Sequence, residues 1–123
     1  METKFECCIP ILTVENLEQS RDFYVNTLGF NLSFEWGNPI TYLGLDRESV
    51  SIHLIGKDIS RQNPGTGKIS IITNEVDNYF ELCKQNGADI VVEPADQEYG
   101  LRDFGVKDLD GNIINFGCDI HDK

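Results

Sequence analysis

His53, Lys68 and Asn115 are the residues of this chain whose types and placement best admit chemistry at a shared surface. Each sits in or beside a short apolar segment: His53 between Ile52 and Leu54, Lys68 ahead of Ile69, Asn115 between Ile114 and Phe116. An imidazole can bind a metal or move a proton near neutral pH. An ammonium is a fixed cation, and a side-chain amide both donates and accepts. A lone imidazole on a strand also suits a hydrogen-bonded wall, and the only other histidine, His121, lies in a polar tail. Trp36 beside Gly37-Asn38-Pro39, Tyr42 between Thr41 and Leu43, and Tyr99 before Gly100 suit either stacking on a flat ligand or packing. Arg102 offers a planar fork to a carboxylate, whether a ligand's or that of a nearby Asp or Glu. No Ser-His-Asp or Cys-His set can be assembled for nucleophilic catalysis. Gly65-Thr66-Gly67-Lys68 lacks the spacing and the following helix of a phosphate loop.

The elements that must position these residues are written twice. An apolar run over residues 5–14, interrupted by Pro10, reads as a strand with a broken ladder. Asn16 can cap a helix whose third residue is Gln19; Leu17, Ser20, Tyr24 and Leu28, with Phe23 alongside, form its apolar stripe, and Gly29 closes it. Strands follow near 30–36, 40–45 and 49–55, with turns at Asn38-Pro39 and Asp46-Arg47-Glu48. The order then recurs. A strand over Ile69–Thr73 leads to a cap at Asn74, a stripe of Val76, Tyr79, Phe80 and Cys83, and an end at Asn86-Gly87. Strands near 89–93, 101–107 and 112–118 complete it, the last pair joined by the turn signal Asp110-Gly111-Asn112. Leu17 and Val76 are 59 residues apart, Gly29 and Gly87 58.

The pattern predicts an α+β fold of two βαβββ units with curved mixed sheets: residues 1–60, a Gly- and Pro-rich linker at 61–67, and 68–123 with a tail, together one structural domain. Strand parity puts Ile52, Leu54, Ile69, Ile71, Ile114 and Phe116 against the helices. The alternate face carries His53, Lys68 and Asn115, which fits a pocket wall and a solvated sheet face equally well. Each unit is small enough to need shared packing, within the chain or with a second copy.

Lys and Arg total 10 against 21 Asp and Glu, a formal charge of −11. That field repels phosphate backbones and excludes nucleic acid as a partner. It favours a cationic small molecule, and it serves solubility as well. Hydrophobic residues make up 40% of the chain, enough for an ordered core. No run approaches the roughly 18 apolar residues that span a membrane. The first residues show no secretory pattern, so a cytoplasmic location is expected. Cys7, Cys8, Cys83 and Cys118 are then expected as buried, reduced thiols, and adjacent Cys7 and Cys8 would point to opposite strand faces.

The stretch from Val14 to Tyr24 leading to Leu28-Gly29-Phe30, together with Lys107-Asp108-Leu109-Asp110-Gly111-Asn112-Ile113-Ile114-Asn115-Phe116, resembles the vicinal oxygen chelate superfamily of glyoxalases, extradiol dioxygenases and bleomycin resistance proteins. The resemblance spans essentially the whole chain. Metal-dependent members carry ligands on the first and last strands of each unit, at positions corresponding to Ile9, His53, Lys68 and Asn115. Ile9 cannot ligate, Lys68 is cationic, and Asn115 supplies only a neutral oxygen, whereas a catalytic divalent site wants about three good ligands. Glu98-Tyr99-Gly100-Leu101-Arg102-Asp103-Phe104 resembles the family's aromatic-Gly-x-Arg-x-Phe segment, with Tyr99 where many relatives have Trp. The resemblance therefore implies a homodimeric, non-catalytic protein of the bleomycin resistance kind, without metal or cofactor. It would sequester or sense a small aromatic compound, cationic by preference, through Trp36, Tyr42, His53, Lys68, Tyr99, Arg102 and Asn115. The alternative is a metal-dependent glyoxalase-like lyase or isomerase, or an extradiol dioxygenase, with an atypical metal site.

Overall fold

A computed structural model of the chain describes residues 1–122. Asn16 starts the first helix as its side chain predicts, its Oδ1 accepting from the Gln19 N–H at 2.9 Å. The helix α1 (Leu17–Asp22) widens into a π-helical turn over Phe23–Thr27, where the Leu28 N–H reaches back to Phe23 O. Leu17, Ser20, Tyr24 and Leu28 are buried, so the stripe survives the widening. The second helix, α2 (Val76–Gln85), buries Val76, Phe80 and Cys83. Its cap is Glu75, with no side-chain cap bond, rather than the expected Asn74.

Strand β1 covers only Ile11–Val14, shorter than the apolar run before α1 suggests. Pro10 has no N–H to extend the ladder, and residues 1–9 lie exposed. Cys7 and Cys8 are consequently exposed thiols, while Cys83 and Cys118 are buried as expected. The remaining strands are β2 (Asn31–Trp36), β3 (Tyr42–Arg47), β4 (Val50–Gly56), β5 (Lys68–Ile72), β6 (Asp89–Asp96), β7 (Leu101–Lys107) and β8 (Ile113–Asp119). The β3–β4 turn falls at Glu48-Ser49, slightly later than the sequence indicates.

The strands make two four-stranded sheets, ordered β1-β4-β3-β2 and β5-β8-β7-β6. In each, the first strand runs parallel to the last strand of its unit and the other pairs are antiparallel. This is the expected pair of βαβββ units, each sheet backed by its helix and forming a cleft on the other face. Ile52, Leu54, Ile114 and Phe116 are buried against the helices, as parity requires. Phe80, Phe104 and Phe116 continue the packing, Phe104 lying 5.3 Å from Phe80 and 5.4 Å from Phe116 between ring centroids.

The Asp108–Asn112 turn ties the units together. The Asp108 Oδ1 accepts the N–H groups of Asp110, Gly111 and Asn112 at 3.0, 3.0 and 2.9 Å. Its Oδ2 accepts the Tyr24 hydroxyl at 2.7 Å and the Asn112 amide at 2.9 Å. Asn112 in turn donates to Thr13 O at 3.1 Å and accepts from the Gly67 N–H at 2.8 Å. All of Tyr24, Asp108 and Asn112 are buried. A buried carboxylate is tolerable here because five donors replace its water.

Asp108→Ala strands those donors, and urea unfolding should register a loss of roughly 3–5 kcal/mol. Tyr24→Phe removes one donor and should cost only about 1–2 kcal/mol. Equal, small losses would show that the turn is merely local. Burial holds the phenols of Tyr24 and Tyr79 well above their ordinary value of 10.0. Their stabilising contribution is complete below pH 10 and is lost as pH rises toward the folded-state values, because the unfolded chain ionises first. Phenolate absorbance should therefore show these two tyrosines titrating only together with unfolding; ionisation in the folded protein near pH 10 would contradict the packing.

Candidate functional site

Cross-strand partners share a face, and on sheet one the ladder aligns Ile11 with His53, His53 with Gly44, Gly44 with Phe34, and Tyr42 with Trp36. The register of β2 shifts between Leu32 and Phe34. Leu32 opposes Leu45 of the helix-side face, and the extra residue moves Phe34 and Trp36 onto the cleft face. There Phe34 stacks with Tyr42 (centroids 6.1 Å, planes 18° apart), and His53 stands edge-on to both, at 5.2 and 5.3 Å. The Tyr42 hydroxyl and His53 Nδ1 are hydrogen-bonded at 2.7 Å. Burial raises the Tyr42 phenol above its ordinary range, so it remains an O–H at neutral pH. Trp36 follows at the strand end, 67% exposed.

The equivalent face of sheet two is polar. Ser70 aligns with Asn115, Asn115 with Gly105, and Gly117 with Asp103. Asp103 is only 7% exposed. Its carboxylate accepts from the Tyr99 hydroxyl and, at 3.2 Å, from the Gln97 amide. Donation to Asp103 raises the Tyr99 phenol's pKa, with a smaller push from burial. The central strand of each sheet carries a glycine where the neighbouring side chain folds over the backbone. A Cβ on Gly44 would meet the Phe34 ring at 2.2 Å, and one on Gly105 would meet Asn115 Oδ1 at 2.8 Å.

Sequence reading thus leads to Trp36, Tyr42 and His53 on one face and Asn115 and Tyr99 at the other. His53 belongs to the first sheet, while Lys68 and Asn115 share a face of the second, Lys68 exposed at the start of β5 and opposite Ile113, two residues from the Ser70–Asn115 pair. Arg102 turns to the helix side, where its guanidinium binds Asp77 at 3.0 Å and Asp96 at 3.3 Å. It makes the structural pair with nearby Asp residues that the sequence also allowed. Phe34, Asp103 and Gln97 were missed. Alternation from Phe104, a core residue, already puts Asp103 opposite to the helices, but nothing in the sequence announces the β2 bulge.

The four ligand stations do not suit a divalent ion. Ile11 opposes His53, and neither it nor Ile9, which lies ahead of β1, offers a donor. His53 has Nδ1 engaged by Tyr42, leaving one nitrogen. Ser70, Lys68 and Asn115 supply a hydroxyl, an ammonium and an amide, none of them a strong ligand. Among the described residues, no three of His, Cys, Asp and Glu are grouped to hold a metal.

The family model of the Glyoxalase/Bleomycin resistance protein/Dioxygenase superfamily matches residues 7–116, and the chain belongs to that superfamily. A lactoylglutathione lyase of Neisseria meningitidis serogroup A is 32% identical over 120 residues, covering 86% of this chain and 85% of that protein. Among solved structures, an antibiotic-binding protein from Streptomyces sp. CB03234 superposes with a TM-score of 0.83 at 23% identity, covering 97% of this chain and 99% of its own. The bleomycin-binding protein of Streptomyces verticillus, solved with copper(II)-bleomycin, gives a TM-score of 0.79 at 21% identity, with coverages of 94% and 97%. At these identities the structural matches establish the shared fold. Among the described residues, no helix is long and apolar enough to cross a membrane.

Tyr42→Phe should alter the ¹⁵N shifts of the His53 ring, read in long-range NMR correlations, while costing about 1 kcal/mol or less in stability. Unchanged ring shifts would mean that hydroxyl and imidazole do not bond in solution.

Proposed function

We propose that the protein is a non-catalytic, cytoplasmic binding protein that sequesters or senses a small planar aromatic compound, by preference a cation. The observation that carries this reading is the aromatic face of sheet one. Phe34 and Tyr42 lie nearly parallel, His53 is edge-on to both, and Trp36 stands exposed at the strand end. Such a surface offers large, rigid contact area at low entropic cost. The imidazole is bonded to Tyr42 through Nδ1, packed edge-on against Phe34, and has the apolar Ile11 as its neighbour on β1. Asn115, Tyr99 and Asp103 of the second face add hydrogen-bonding capacity and a negative charge, and the net charge of −11 favours the approach of a cation. The names of the antibiotic- and bleomycin-binding neighbours point the same way.

The cleft is completed in a homodimer. Residues 1–9 are exposed and include Phe5, almost fully solvated, and Ile9. Light scattering over a range of concentrations should give twice the chain mass; a monomer persisting at high micromolar concentration would count against the paired clefts.

Trp36 is the only tryptophan, so its fluorescence reports this face alone. Titration with proflavine, a planar aromatic cation, should quench it saturably, and Trp36→Ala should weaken calorimetric binding by roughly 1–3 kcal/mol. Unchanged affinity with a large fall in thermal midpoint would make Trp36 a packing residue. The second reading, a metal-dependent lyase, is favoured by the identity to the Neisseria lactoylglutathione lyase. Near-stoichiometric Zn, Ni, Mn or Fe in protein purified without chelator, lost together with activity on chelation, would support the lyase over the binding protein.

A further inference from the structure

We propose that the seam between the two units is a second binding site, distinct from the aromatic cleft, for an apolar compound carrying a protonated amine. A cavity of about 560 Å³ lies there, between the β3–β4 turn and the start of α2. That volume is within the usual range for small-molecule sites. Its floor is apolar and comes from both units: Phe30 from the first, and Ile71 and Phe116 from the second. Leu82 and Ile72, both substantially exposed, leave apolar surface open at the mouth.

The walls are fixed. Arg47 lies with its guanidinium 5.2 Å above the Tyr79 ring and donates to Leu28 O at 3.2 Å, and the Tyr79 hydroxyl donates to the same carbonyl. Glu48, held in the left-handed backbone region at φ 47°, pairs with Arg47 at 3.5 Å. A non-glycine residue is disfavoured there, which marks the turn as held by its surroundings.

Charge decides the class of ligand. The Arg47 cation is already matched by Glu48, by the Leu28 carbonyl and by the face of Tyr79. The other charged group on the rim is Glu75, whose carboxylate accepts from the neutral amide of Asn78 at 2.7 Å. With Glu48 set against Arg47, the surplus charge of the rim is that of Glu75: it would repel an anion entering the seam and attract an ammonium, whose apolar body would rest on Leu82 and Ile71.

The test is a ¹H–¹⁵N correlation titration with 1-naphthylmethylamine, set against 1-naphthoic acid of nearly the same shape. The amine should shift, saturably, the amides of residues 71–75 together with Asn78 and Leu82. Glu75→Gln should weaken it roughly fivefold, as expected for an ion pair at a solvent-facing rim, and Leu82→Asp about tenfold through lost apolar contact. Both residues are exposed, so the thermal midpoint should hold. Trp36→Ala should leave this binding unchanged, which separates the seam from the aromatic cleft. The proposal is overturned if the acid binds as well as the amine, if both seam variants bind normally, or if the shifts fall on Phe34–Tyr42 instead. Concentration-dependent shifts of the seam amides without probe would also overturn it, since a second copy would then cover the groove.

Discussion

The Asp108 carboxylate is the group on which the arrangement of this molecule most depends. Each unit is a four-stranded sheet with one short helix, too small to bury a large core alone. The carboxylate closes its own turn through three N–H groups and reaches Tyr24 on the first unit's helix through its other oxygen. Asn112, bonded to the same carboxylate, reaches Thr13 on β1. A hairpin turn of one unit thereby becomes a buried bracket for the other. It fixes the start of β8, which carries Asn115, and the line of β1, which lies beside His53. Hydrophobic contact alone would allow the units to slide. A set of directional bonds with no water to replace them does not.

The bracket holds two backbones of the same topology that have diverged in chemistry. His53 and Asn115 occupy equivalent strands, each aligned with a central-strand glycine. Over Gly44 the space is taken by an aromatic ring, and over Gly105 by an amide oxygen. One cleft face became a stacking surface and the other a hydrogen-bonding one with a buried carboxylate. A ligand read by both would need a flat apolar part and a polar or cationic edge, and neither face alone would distinguish it from simpler compounds.

Much of this was legible in the sequence because it is local. Asn16 with Gln19, the stripe Leu17–Ser20–Tyr24–Leu28 and the glycines at 29 and 87 are short-range signals, and each holds in the structure. Repetition of those signals some 59 residues apart was enough to give the fold. The misses are non-local. Strict alternation would put Leu32, Phe34 and Trp36 on one face; a bulge divides them, and bulges leave no compositional mark when neither residue is glycine. Arg102 lay within a family-like segment, and its pairing with Asp77, on a helix 25 residues earlier, is a contact that no local pattern announces. Asn74 looked a better cap than Glu75 by type, yet the chain enters α2 one residue later.

How well the ligand stations of this scaffold suit a divalent ion is a matter of side-chain occupancy. A metal needs an imidazole whose orientation is fixed by an outer partner and whose other nitrogen faces further strong donors. His53 meets the first condition, since Tyr42 binds its Nδ1. The second fails: its strand neighbour on β1 is Ile11, and Phe34 packs edge-on against the ring. Adding a carboxylate at Ile9 or Ile11 would not restore a site by itself, because that charge would be placed beside apolar rings with no cation to offset its desolvation. The aromatic packing and the lost ligands are thus mutually reinforcing. Once Phe34 covers Gly44, the surface gains contact area for a flat molecule and loses the polar surroundings that a divalent ion requires.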